Sequence, residues 1–233
     1  MKKIIVCIGG GEIRTKQTLE IDRFVAELAK RHAGEEKRPL ALFVGTASHD
    51  SLPYYNSFHK TYTGEFGLKT DVALSFKGTM DAEKTAAKFL AADLVYVGGG
   101  DTKFMLETWE KNGFWEHIKA SYERGVPIAG LSAGAICWFD EMYTDSEILE
   151  GNSTSYKLMP AMGILAGTAC PHYDERQKDF DEALLTGKSK KAYAFENLSA
   201  EVFEGGVPVK TISAGGSVYV LENTNGEISK KRL

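Results

Sequence analysis

The chain has 233 residues, of which 43% are hydrophobic and 26% are charged, and its formal net charge is −4. This composition is ordinary for a globular protein, and the length predicts one α/β domain over residues 1–233. The negative net charge gives no indication of a basic surface that would bind nucleic acid. No apolar run is long enough to cross a membrane.

The cysteines and the N-terminus indicate a cytoplasmic protein. The chain has an odd number of cysteines at scattered positions, namely Cys7, Cys137 and Cys170. This pattern is typical of a reduced protein without a disulfide framework or a zinc site. The N-terminal apolar run is short and leads directly into residues 9–11, so we interpret it as a strand and not as a signal peptide. We expect no metal and no cofactor.

Strand and helix patterns alternate over the first 130 residues. Short β-branched runs predict strands at 3–8, 40–45, 70–74, 94–97 and 126–130. Helices are predicted between them at 18–31, 54–66, 82–91, 103–111 and 114–124. Near-continuous apolar strands separated by helices indicate a mostly parallel sheet covered on both faces. With right-handed crossovers, this predicts a doubly wound, flavodoxin-like α/β sandwich.

The pattern changes after about residue 140. Residues 143–163 are interpreted as a loop excursion that could cover a cleft. Strands are predicted again at 164–169, 192–195, 199–203, 211–213 and 217–221. The glycine pairs at 205–206 and 215–216 indicate antiparallel hairpins near the C-terminus.

Four unusual loops follow predicted parallel strands. They are residues 9–11, 46–48, 98–101 and 130–132. Ligand sites in parallel sheets lie at the carboxyl ends of the strands, so we expect these loops to converge at one edge.

The last of these loops has the pattern G-x-S-x-G, with Ser132 at its centre and an apolar run after it. Between a strand and a helix, this pattern is typical of a nucleophile elbow, where a sharp turn exposes the serine hydroxyl. The amide of Ala133, at the start of a helix, could then bind a developing oxyanion. The alternative is a strand-to-helix turn that merely uses small residues.

A serine nucleophile needs a base, and two of the five histidines follow predicted strands. His172 comes after the strand at 164–169, with Pro171 before it, and His49 comes after the second strand. Position favours His172 over His49.

Three motifs together resemble the peptidase E family of serine peptidases. They are Val97-Gly98-Gly99-Gly100-Asp101-Thr102, Gly130-Leu131-Ser132-Ala133-Gly134-Ala135 and Pro171-His172-Tyr173, in this order. The family includes aspartyl dipeptidase and, more distantly, cyanophycinase, and the resemblance extends from residues 9–11 to 204–206. It implies a sandwich related to class I glutamine amidotransferases, with serine in place of their cysteine.

The resemblance also implies roles for single residues. Ser132 would be the nucleophile and His172 the general base, and the amides of Ala133 and Gly100 would form the oxyanion hole. Glu196 is the nearest match to the glutamate that completes the triad. Asp145 and Glu147 remain alternatives for that position.

The resemblance further implies a short peptide substrate, with an N-terminal aspartate as one option. Arg176, Arg14 and Lys103 are candidates to bind an acidic side chain, and Asp145 is a candidate for substrate binding. Two other functions stay open, namely a serine esterase or amidase and a non-catalytic small-molecule binding protein. A monomer and a homodimer are equally open.

Overall fold

A computed structural model of the chain describes residues 2–76, 81–187 and 189–233. Met1, residues 77–80 and Lys188, which fall within the predicted domain of 1–233, lie outside the described residues. The strands are β1 (Ile4–Ile8), β2 (Leu40–Val44), β3 (Lys69–Ala73), β4 (Leu94–Val97), β5 (Ile128–Leu131), β6 (Phe139–Thr144), β7 (Lys157–Pro160), β8 (Leu165–Cys170), β9 (Lys191–Phe195), β10 (Ser199–Glu204), β11 (Val207–Ser213), β12 (Val218–Thr224) and β13 (Glu227–Arg232). The helices are α1 (Leu19–Ala33), α2 (Leu52–Gly64), α3 (Ala82–Ala91), α4 (Thr102–Asn112), α5 (Phe114–Glu123), α6 (Ala133–Ile136), α7 (Ser146–Leu149) and α8 (Tyr173–Thr186).

The first sheet has seven strands in the order β11-β10-β1-β5-β4-β2-β3. From β1 to β3 in that order the strands are parallel, while β10 and β11 continue the sheet in antiparallel pairing. The inner parallel strands β1, β5, β4 and β2 are apolar because helices or the second sheet cover both of their faces, whereas the edge strand β3 is mostly polar. The predicted mostly parallel α/β class is therefore confirmed.

A second sheet of six strands, in the order β13-β12-β9-β8-β6-β7, was not distinguished in the sequence. β6, β8 and β9 are parallel, and β12 and β13 form an antiparallel hairpin that the sequence patterns do not predict. Of the two predicted hairpins, the one at residues 205–206 joins β10 and β11. The other prediction is wrong, since residues 215–216 connect β11 of the first sheet to β12 of the second. The main core includes side chains of both sheets, such as Val97 from β4 and Phe195 from β9. Helix α8 packs on the second sheet through Tyr173, Phe180 and Leu184.

Residues 143–163, expected to be a loop, contain regular structure. They include the end of β6, the short helix α7 and the edge strand β7, which pairs with β6. Both new elements have only four residues, so they are too short to show a hydrophobic period. No helix within residues 2–76, 81–187 and 189–233 is both long enough and apolar enough to cross a membrane.

All three cysteines are free and buried. Burial raises the pKa of the Cys7, Cys137 and Cys170 thiols, so they stay protonated and unreactive. They act as small core residues, which is how the sequence was interpreted.

Candidate active site

Ser132 lies in a sharp turn between β5 and α6, with backbone angles φ 53° and ψ −107°. This is a strained conformation for a residue that carries a β-carbon. The turn is possible because its neighbours are small: a β-carbon on Gly130 would overlap the carbonyl of Gly134. The Ser132 amide donates to the carbonyl oxygen of Ile8 at 2.9 Å, which ties the turn to the end of β1. The predicted elbow geometry is present.

His172 lies directly opposite this hydroxyl. Its Nε2 is 2.8 Å from Ser132 Oγ, although the two residues come from different sheets. His172 lies between β8 and α8, in a left-handed backbone conformation with φ 50°. Its amide donates to the carbonyl oxygen of Gly9 at 3.1 Å, so consecutive carbonyl groups at the end of β1 hold the backbones of both residues.

The third position differs from the sequence prediction. Glu196 was expected to accept a hydrogen bond from His172, but its carboxylate accepts the amide of Ser217 at 2.8 Å. The neighbour Asn197 takes that place, with Oδ1 2.7 Å from His172 Nδ1. The chain leaves β9 at Phe195 and turns at residues 197–198, which places Asn197 and not Glu196 against the imidazole.

Two carboxylates lie behind Asn197. Its Nδ2 donates to Asp174 Oδ2 at 3.0 Å and to Glu175 Oε1 at 2.7 Å. Its backbone amide donates to Asp174 Oδ1 at 2.8 Å. The sequence patterns do not single out these three residues, although Asn197 follows a strand and the acidic pair directly follows His172-Tyr173.

The glycine loop after β4 borders Ser132 on the other side. A β-carbon on Gly99 would lie 3.4 Å from that of Ser132, and the Gly99 amide donates to the Tyr54 hydroxyl at 3.2 Å. Burial raises the pKa of Tyr54, which keeps this phenol neutral. Gly100 has φ +136° and packs against the carbonyl of Ala47, where a β-carbon would overlap.

The backbone N–H groups of Gly100 and Ala133 have no hydrogen-bond acceptor among the residues that the structure describes. Ala133 begins α6 directly after the serine, and Gly100 lies in the glycine loop and lines the cleft. Two unused N–H groups beside a hydroxyl nucleophile can bind an oxyanion.

A cleft of about 550 Å³ opens over Ser132 and His172. Its polar lining includes Glu12, Arg14 and Asp145, and its apolar walls include Tyr54 and Leu149. This volume lies within the range of about 300–1,000 Å³ that is typical of small-molecule sites.

Arg176 was expected to bind substrate, but it does not line this cleft. Only 6% exposed, it pairs with Asp145 at 2.9 Å and lies over the Tyr156 ring at 4.6 Å. Its charge therefore holds Asp145 at the cleft wall, and Arg14 is the basic side chain that lines the cleft among the described residues. Lys103 pairs with Glu150 at 2.9 Å.

The remaining alternatives lie elsewhere. Glu147 is not part of the cleft lining, and the His49 ring stacks on Phe104 with centroids 4.1 Å apart. Across the described ranges, no cluster of three His, Cys, Asp or Glu side chains could hold a metal ion.

The family model of peptidase family S51 matches residues 5–206. The chain is 30% identical over 235 residues to the uncharacterized peptidase YgaJ of Bacillus subtilis (strain 168), covering 99% of this chain and 96% of that protein. It is 22% identical over 203 residues to peptidase E of Streptomyces coelicolor, covering 76% of this chain and 82% of that protein.

Among solved structures, the fold is similar to a peptidase from an acI-B1 Actinobacterium, with a TM-score of 0.77 and 18% identity. That match covers 100% of this chain and 94% of the other. The family match spans most of the chain and includes Ser132 and His172, so this protein belongs to peptidase family S51 and is a serine-type peptidase.

Proposed function

We propose that this protein hydrolyses dipeptides and other short peptides in the cytoplasm, with Ser132 as nucleophile and His172 as general base, in one catalytic domain over residues 1–233. The 2.8 Å contact between Ser132 Oγ and His172 Nε2 carries the proposal. A serine hydroxyl is a weak nucleophile unless a base takes its proton, and this contact provides that base. The free, buried cysteines support a reducing compartment.

The geometry supports a two-step reaction. Ser132 Oγ bonds to the scissile carbonyl carbon while its proton passes to His172 Nε2, and the carbonyl oxygen becomes an oxyanion. The intermediate collapses, the C–N bond breaks, and the Nε2 proton goes to the leaving amine. Water then attacks the acyl ester, losing a proton to Nε2, and Ser132 regains its proton as the acid product leaves.

The amides of Gly100 and Ala133 are the proposed oxyanion donors. Both are unused by the described residues, whereas the Gly99 amide already donates to Tyr54. Each donor of this kind is typically worth roughly 2.7–4 kcal/mol of transition-state stabilisation. Asn197 is the proposed third member in place of Glu196, since its Oδ1 holds the Nδ1 side of the imidazole.

The charges in the cleft support a short substrate with a free N-terminus. Glu12 and Asp145 present carboxylates to the cavity that also contains Ser132, and Arg176 holds Asp145 in place. A carboxylate near the nucleophile favours the α-ammonium of the residue whose carbonyl is attacked. Arg14 would favour an acidic side chain on that residue, so an N-terminal aspartate is the expected preference.

The test is hydrolysis of a panel of Asp-X, Ala-X and Lys-X dipeptides and their N-acetylated forms by purified protein. We expect the free Asp-X peptides to be cleaved fastest and Ser132→Ala to reduce kcat by at least about a thousandfold. Cleavage of simple esters or amides in preference to every peptide would favour the esterase or amidase alternative. A serine-directed fluorophosphonate that labels neither protein would favour the non-catalytic alternative.

A further inference from the structure

We propose that Asp174 and Glu175 are positioning residues that fix the amide of Asn197 and thereby select the tautomer of His172 that can accept the Ser132 proton. This rests on the proposed function of Ser132 and His172. Neither acidic residue contacts Ser132; they act through Asn197, which both of them contact.

A carboxamide has an accepting end and a donating end, and the neighbours decide which end faces which partner. The Asn197 Nδ2 lies 3.0 Å from Asp174 Oδ2 and 2.7 Å from Glu175 Oε1. Ionised carboxylates only accept hydrogen bonds. A rotated amide would place Oδ1 against both carboxylates, so the carboxylates require that Nδ2 faces them and Oδ1 faces the imidazole.

The orientation of the amide determines the proton position on His172. Oδ1 can only accept, so the nitrogen 2.7 Å from it, Nδ1, must carry the hydrogen. In a neutral imidazole the other nitrogen, Nε2, is then an acceptor, 2.8 Å from Ser132 Oγ. With the amide rotated, Nδ2 would donate to Nδ1, and the proton on Nε2 would prevent it from taking the Ser132 proton.

The local sequence places the acidic pair for this task. Asp174 and Glu175 lie in the first turn of α8, which begins at the base itself, and the Glu175 amide donates to the His172 carbonyl oxygen at 2.9 Å. Negative side chains are favoured at a helix N-terminus. Asp174 also accepts from the Asn197 backbone at 2.8 Å, so it positions the whole residue and not only its amide.

The test uses the Asp174→Asn/Glu175→Gln variant. The new amide at position 174 keeps its oxygen on the Asn197 backbone N–H and so turns its NH2 group toward Asn197 Nδ2, which favours the rotated orientation of the Asn197 amide. Because an asparagine that selects the wrong tautomer costs about 10⁴-fold in a serine protease triad, we expect kcat to fall at least ~100-fold here, with KM changed less than about threefold. Asp179→Asn/Glu182→Gln removes the same charge from the same helix, away from the site, and should leave kcat within about twofold.

The Asn197→Asp substitution tests whether the orientation of the Asn197 amide causes the loss of kcat. A carboxylate accepts at both oxygens, so this change should restore most of the lost kcat in the Asp174→Asn/Glu175→Gln protein. In the otherwise native protein it should lower kcat, since a third carboxylate would face Asp174 and Glu175 without a donor between them. The same effect in both backgrounds would overturn the proposal.

Nitrogen-15 NMR of the imidazoles reads the tautomer without any substrate. We expect His172 to carry its proton on Nδ1 in the native protein and to populate the Nε2–H form when both acidic residues are replaced. An Nε2–H native protein, or an unchanged tautomer in the double variant, would overturn the inference. If no peptide is cleaved, the proposed function fails, while this measurement still decides the role of Asp174 and Glu175.

Discussion

Gly10 lies so close to His172 that a β-carbon on it would be 2.5 Å from Nδ1 of the imidazole. The same β-carbon would overlap Oδ1 of Asn197. In the loop after β1, the backbone of Gly10 therefore packs directly against His172 and Asn197, with no room for a side chain between them. This close approach explains why position 10, in the loop after β1, is a glycine.

Gly10→Ala should cost at least ~100-fold in kcat, because the methyl group forces His172 away from Ser132 and a misplacement of 1 Å is enough for such a loss. Steady-state kinetics with the best peptide of the panel measures it. Gly64→Ala is the matched control, since nothing lies near its added methyl group. Activity within about twofold of native in Gly10→Ala would mean that His172 Nδ1 needs no fixed partner.

Gly100→Ala tests the proposed oxyanion loop. The new methyl group would overlap the Ala47 carbonyl, and φ +136° disfavours any side chain, so the Gly100 amide must move. We expect kcat to fall by about 100-fold or more, the cost of one lost oxyanion donor, with KM nearly unchanged. Gly67→Ala, also at positive φ but with open space around it, should lose stability and keep kcat. A large rise in KM with kcat intact would instead assign the loop to binding.

Asp22 makes the stability of the protein depend on pH. It is fully buried, and burial raises its pKa from 3.8 to about 6 despite hydrogen bonds from Thr18 and Tyr62. Since the folded protein holds this proton more tightly, the contribution of neutral Asp22 is complete below about pH 4 and is lost as pH rises through 6. The shift corresponds to about 3 kcal/mol of unfolding free energy.

The side chain introduced by Asp22→Asn cannot ionise. The difference in unfolding free energy between this variant and the native protein should therefore shift in favour of the variant by up to about 3 kcal/mol between pH 4 and pH 8. Urea denaturation at both pH values measures this difference. Glu20→Gln on the exposed face of the same helix should show no such gain. A constant difference between Asp22→Asn and native protein at the two pH values would contradict the buried-carboxyl explanation.

Arg14→Gln tests the preference for an acidic N-terminal residue. If Arg14 contacts the substrate side chain, kcat/KM for Asp-X should fall roughly 10- to 100-fold while that for Ala-X changes little, as expected for a lost charge-assisted hydrogen bond. Arg232→Gln, exposed on β13 away from the cleft, is the control. An equal loss for both peptides would assign Arg14 to the shape of the cleft and not to specificity.

The sequence predicts the parallel sheet because buried parallel strands are continuous apolar runs, and it predicts the meeting of Ser132 and His172 because each follows such a strand. It does not predict which residue after β9 faces the imidazole, since one position of register separates Glu196 from Asn197. Arg176 is a similar case: its partner Asp145 lies 31 residues away, and only the fold shows that their charges satisfy each other.

Strand β1 is translated before the other strands, yet its residue Ile4 pairs with Glu204 on β10. Asn197, which contacts His172, lies in the segment directly before β10. A growing chain on the ribosome therefore holds Ser132 long before it holds a complete site. Distant pairings of this kind form late in folding. Proteolytic activity should consequently appear only after β10 has been synthesised, so a chain that terminates before β10 poses little danger to the peptides around it.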